Sequence, residues 1–102
     1  MAPNYENTSI YMLYCIDETI KDIYIGYTTD IKDRMSVHKR CTHNPANKSY
    51  STRMYKFIRD NGGWNNWSYR IIENYNCFDK NDAITQEKRW IYYYNPILNT
   101  HK

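Results

Sequence analysis

Five side chains of this sequence have chemically useful types and stand where a plain core would place apolar groups. Advancing about 100° per residue along a helix puts Ile31, Met35 and Cys41 on one stripe. Arg34 and His38 fall inside that stripe, four residues apart and therefore stacked on one face. Lys32, Asp33, Ser36, Lys39 and Arg40 take the opposite face. A later helical segment repeats the anomaly: Glu87 lies in the middle of the stripe formed by Ala83, Ile84, Ile91 and Tyr94, with Trp90 at its edge. Tyr11 and Tyr24 sit in strand-like runs and can point into the same place. A cation for phosphate charge, a carboxylate for a divalent ion and an oxygen able to relay a proton are what phosphodiester chemistry needs. The competing explanation is structural: a buried carboxylate without a partner is costly, and an Arg34–Glu87 ion pair would hold two helices together.

The elements that must position these groups follow from periodicity and punctuation. Ser9 to Ile16 (SIYMLYCI) is apolar on both faces, which predicts a central strand. Ile23 to Thr28 (IYIGYT) predicts a second strand, joined to the first as a hairpin by DETIKD. Gly26 interrupts it and marks either a bulge or the close approach of a ligand or another backbone. Thr29 or Asp30 caps a helix to about Cys41, and THNPANKSY then forms a loop. Ser51 caps a second helix that Gly62-Gly63 ends after Asn61. Trp67 to Tyr75 predicts a third strand. Asp79, with Asp82 three residues on, starts a third helix that runs to about Tyr94 before Asn95-Pro96. The order is β-β-α-α-β-α: an α+β domain with a small three-stranded antiparallel sheet flanked by three helices. Residues 1–8 are expected to be a flexible polar terminus, and residues 9–102 a single domain.

The second helix turns Met54, Phe57 and Ile58 inward and spaces Arg53, Lys56 and Arg59 along an outward flank. Those cations are either a solvated face or, with Lys39 and Arg40, a phosphate-binding surface. Trp64 and Trp67 suit packing, with base stacking as the alternative. His38, Cys41 and His43 have zinc-ligand types, yet H-x2-C-x-H lacks a nearby fourth ligand.

Composition sets the outer bounds. The chain has 102 residues, 41% hydrophobic and 25% charged, which suits one globular domain and excludes a disordered or collagen-like chain. No stretch approaches the ~18 apolar residues of a membrane span, and the start lacks the regions of a signal peptide. Three cysteines without paired spacing argue for reduced thiols and an intracellular setting, cytoplasm or nucleus. The excess of Tyr, Asn, Lys and Ile is what an AT-rich coding genome produces. A net charge of +3 is compatible with a nucleic-acid partner without requiring one.

Ser9-Ile10-Tyr11 followed by Tyr24-Ile25-Gly26 resembles the signature of the GIY-YIG nuclease superfamily. Arg34 stands ten residues after Tyr24, the family's spacing for its arginine, with His38 one turn later. Asn61-Gly62-Gly63-Trp64 resembles the connection before the third strand in homing-endonuclease-like members. Glu87 to Ile91 matches the E-x-x-x-I pattern, and Asn99 resembles the terminal asparagine. The resemblance covers about residues 9–100. Ser9 replaces the first glycine, Tyr27 stands where some members have lysine, and the longer link between the tyrosines makes Tyr14 a rival of Tyr11.

The resemblance implies metal-dependent hydrolysis of DNA phosphodiesters with one Mg²⁺ or Mn²⁺ per site, leaving a 5′-phosphate and a 3′-hydroxyl. It implies that Glu87 holds the ion and that Tyr11 is, or feeds protons to, the general base. Arg34 would orient the phosphate, Tyr24 and His38 would position water or shuttle protons, and Asn99 would order the site by hydrogen bonds. The implied partner is double-stranded or branched DNA, met by a monomer or weak dimer, with specificity from the core surface or a partner subunit. The alternatives are a catalytically silent nucleic-acid-binding module of the same fold and a purely structural or partner-binding domain.

Overall fold

The computed structural model describes residues 4–99. Strands β1 (Thr8–Cys15), β2 (Tyr24–Thr28) and β3 (Trp67–Tyr75) form one antiparallel sheet in the order β2-β1-β3. The strand that is apolar on both faces is the central one, as its sequence requires. Helices α1 (Ile31–His43), α2 (Arg53–Asp60) and α3 (Lys80–Tyr94) complete the β-β-α-α-β-α order. Alternation along β1 divides the core between the two faces of the sheet. Tyr11, Leu13 and Cys15 pack with Cys41, Met54, Tyr55 and Ile58 beneath α1 and α2. Ile10 and Met12, with Ile25 of β2, face Trp90, Ile91 and Tyr94 of α3. Tyr14 joins this second face, so it lies across the sheet from Tyr11.

The helix starts are built by short acidic side chains. Asp30 accepts from the Asp33 amide at 3.1 Å, and Asp79 accepts from the Asp82 amide at 2.9 Å. Helix α2 departs from expectation: Thr52 rather than Ser51 precedes it, and no side chain caps it. It ends where Gly62 and Gly63 take φ of 98° and 75°, a left-handed turn that suits glycine. Residues 4–8 of the N-terminal segment, expected to be a flexible start, are among those described. Tyr5–Asn7 form a 3₁₀ turn, and Thr8 already belongs to β1. The Tyr5 carbonyl accepts from the Cys77 amide at 3.0 Å and from Thr8 Oγ1 at 2.7 Å, which fastens the turn beside the β3–α3 connection. Residues 1–3 of that expectation lie outside the described residues.

Candidate active site

Tyr11 stands opposite Gly26 in the β1–β2 register, and its ring lies across that glycine. A Cβ at position 26 would sit 2.5 Å from the Tyr11 hydroxyl oxygen. The break in β2 therefore serves neither a bulge nor a ligand but an aromatic side chain from the neighbouring strand. Beyond the glycine, Tyr11 Oη lies 2.7 Å from His38 Nε2, and His38 Nδ1 lies 2.8 Å from Tyr55 Oη. Tyr11 and His38 are fully buried and Tyr55 nearly so. Burial and the charge of Arg34 push His38 down to about 3, so the imidazole is neutral at physiological pH. Burial likewise raises the hydroxyls of Tyr11, Tyr24 and Tyr55; the nearby Arg34 charge opposes the rise without cancelling it.

A polar pocket of about 400 Å³ opens beside this buried row. Tyr24 and Tyr27 of β2, Arg34 of α1 and Glu87 of α3 line it. Tyr5 and Asp33 line it as well. Arg34 Nε is buried and has no hydrogen-bond partner. Arg34 and Glu87 share the pocket without closing an ion pair, so the structural pairing weighed as the alternative does not form. Burial raises the Glu87 carboxyl, while the Tyr27 backbone amide and Arg34 pull it back. An unpartnered guanidinium N–H beside a half-buried carboxylate is suited to an anion and a cation held together.

The structure brings Tyr11, Tyr24, Arg34, His38 and Glu87 into one region but sorts them into two layers. Tyr24, Arg34 and Glu87 face the pocket. Tyr11 and His38, expected to take part in proton transfer or the positioning of water, are buried behind it. Asn99 takes no part in the pocket lining. Its Nδ2 donates to the Ile25 carbonyl at 2.7 Å and its Oδ1 accepts from the Ile25 amide at 2.8 Å. The side-chain amide thus imitates a neighbouring strand along the outer edge of β2 and holds Tyr24 and Gly26 in place.

The basic residues lie outside the pocket lining. Lys39 and Arg40 are exposed on α1, and Arg53 and Lys56 on α2. Lys56 is paired with Asp60 at 2.9 Å. Arg59 departs from the outward flank: its Nη1 donates to the Thr42 carbonyl at 2.9 Å, and its guanidinium covers the Tyr50 ring at 3.6 Å. Trp67 is buried and Trp64 stacks on His38, so both indoles pack.

Sequence reasoning passed over Tyr5, Asp33 and Tyr55. Asp33, assigned to the outward face of α1, is exposed there and also borders the pocket. Tyr55 had a usable signal, since Met54, Tyr55 and Ile58 form an i, i+1, i+4 stripe on α2. Tyr5 had none, because its placement depends on a turn fastened to Cys77, distant in sequence.

A neutral buried histidine between tyrosines thus lies behind a pocket lined by arginine and glutamate. The GIY-YIG catalytic domain matches residues 7–102, and the chain belongs to that family. Its architecture is accordingly a nuclease-type fold. No curated protein and no solved structure matches the chain.

Proposed function

We propose that the protein is an endonuclease that hydrolyses DNA phosphodiester bonds with the help of a divalent metal ion. The observation that carries this reading is Arg34, whose buried Nε lacks a partner in a pocket shared with Glu87 and Tyr24. A phosphate oxygen supplies the missing acceptor, and the planar guanidinium engages two such oxygens at once. The donor set fits Mg²⁺ or Mn²⁺. The carboxylates of Glu87 and Asp33 in the pocket lining offer the hard oxygens that such ions take. Glu87 would hold the ion, with Asp33 in the same pocket lining, and water and phosphate would complete its shell. When bound, such an ion polarises the phosphate and acidifies a water.

The protein's own groups divide the remaining work. Arg34 orients the phosphate and offsets charge developing on it. Tyr24 is the tyrosine that faces the pocket, so it hydrogen-bonds the attacking water. Tyr11 and His38 support Tyr24 from behind. Lys39, Arg40, Arg53 and Lys56 guide a DNA backbone, double-stranded or branched, towards a monomer or weak dimer. Three buried free cysteines agree with a reducing compartment, and among the described residues no helix is long and apolar enough to cross a membrane.

Plasmid nicking with Mg²⁺, and its loss with EDTA, tests the reading. Glu87→Ala should abolish nicking and keep DNA binding. Arg34→Lys should lose ~10²–10³ in rate with little change in melting temperature. Wild-type turnover by Glu87→Ala would overturn the reading. A collapse in melting with a near-normal rate at low temperature would return Arg34 to a structural role.

A further inference from the structure

Tyr5 lines the pocket although it lies ahead of residues 7–102, the stretch that carries the family match. Its place there is fixed through the backbone. The Tyr5 carbonyl accepts from the Cys77 amide at 3.0 Å and from Thr8 Oγ1 at 2.7 Å. Asn4 closes the turn from the front: its Oδ1 accepts from the Glu6 amide at 3.1 Å and its carbonyl from the Asn7 amide at 3.0 Å. Thr8 is buried, so the fastening is shielded from water. The turn then sorts its side chains. Glu6 and Asn7 border a separate hollow beside Asn74 and Tyr75, whereas Tyr5 joins Tyr27, Arg34 and Glu87.

Register explains why the turn arrives at this place. Ser9 pairs with Thr28, and Thr8 pairs with Tyr75. The start of β1 and the ends of β2 and β3 therefore lie at one end of the sheet. There the residues before β1 meet the β2–α1 connection, whose Thr28 and Thr29 line the same pocket. The hydroxyls gathered here are not equally free. Thr28 Oγ1 is engaged by the helix start, donating to the Asp30 carbonyl at 3.1 Å and accepting from its amide at 3.0 Å. Tyr24 is given to water in the proposed reaction. Tyr5 brings a phenol O–H from a third element, and the oxygens of a phosphodiester only accept.

We propose that Tyr5 is a substrate-contacting residue whose hydroxyl donates to a backbone phosphate of the DNA strand held at Arg34, which makes the N-terminal turn part of the binding site. The proposal takes its substrate from the nuclease reading. The contact adds no charge; it fixes the path of the strand across the pocket. Fluorescence anisotropy with a short labelled duplex tests it in the Glu87→Ala background, where binding proceeds without turnover. Tyr5→Phe should weaken binding about 3- to 10-fold, the scale of one hydrogen bond, with an unchanged melting temperature. The salt dependence should keep its slope, because a phenol releases no counterion. Tyr5→Ala should lose at least as much affinity. Affinity undiminished by Tyr5→Phe would overturn the proposal, and so would weaker binding that comes with a lowered melting temperature or a flattened slope. Nicking is read separately. A wild-type protein that binds the duplex and cuts no DNA in Mg²⁺ would defeat the proposed function, and the Tyr5→Phe ratio would still decide the contact. A protein without affinity for DNA would overturn both.

Discussion

Gly26 and Tyr11 form a single steric unit, and a methyl group is enough to break it. In Gly26→Ala the new Cβ would lie 2.5 Å from the Tyr11 oxygen, so the ring must leave its bond to His38. The ring is fully buried and has nowhere to retreat. Overpacking of this kind costs about 1–3 kcal/mol. The expected outcome is a fall in melting temperature together with loss of nicking, read by thermal unfolding and plasmid assay. An active, fully stable Gly26→Ala protein would refute the arrangement. His38 carries a second prediction, on pH. Its folded value is depressed from 6.5 to about 3, so between those limits the unfolded chain binds more protons. The stability it contributes is complete above the unfolded value and drains away as pH falls towards the folded one. At pH 5 the loss is about 2 kcal/mol. Melting temperature measured from pH 7 to pH 5 should fall, and His38→Gln should fall less over the same interval.

At the scale of elements, the helices and strands were legible because caps and periodicity agreed. Asp30 and Asp79 announced α1 and α3, and the doubly apolar run from Ser9 announced the central strand. The layering of the site was not legible. A helical wheel places Arg34 and His38 on one face, but only the depth of the neighbouring strand decides which of them meets the pocket. Tyr11 and Tyr24 share a face of the sheet, yet the missing side chain at Gly26 lets one ring sink while the other lines the opening. Long-range fastenings were equally invisible, such as the Tyr5 carbonyl on Cys77. Asn99 is the fastening most open to test. Asn99→Ala deletes both hydrogen bonds to Ile25, at about 0.5–1.5 kcal/mol each. Melting temperature and nicking should both fall, although Asn99 lies outside the pocket lining. On α2 the basic residues should separate. Arg59→Ala should lower melting, since it removes the bond to Thr42 and the cover over Tyr50. Lys56→Ala should cost less than about 1 kcal/mol, because its exposed pair with Asp60 is of the weak kind.

For the whole molecule, a net charge of +3 leaves the path of DNA to the placement of a few cations. Neutralising Lys39 and Arg40 together should flatten the salt dependence of DNA binding by about two units of slope, at roughly 0.9 per phosphate contact. Adding Lys56→Ala should change it less, because Asp60 already meets that charge. A slope unmoved by all three would place the DNA on another surface. The clamp at β2 also has a meaning in time. Asn99 meets Ile25 across a separation of 74 residues. At about 5–20 residues per second, a ribosome needs roughly 4–15 s to span that interval. Throughout it, the outer N–H and C=O of Ile25 await their partner, and an open strand edge invites pairing with other chains. The strand that carries Tyr24 and Gly26 is thus made early and secured late. A growing chain holds β2 without its clamp until the asparagine arrives, so translation itself delays the moment at which the geometry of Tyr24 and Gly26 is set.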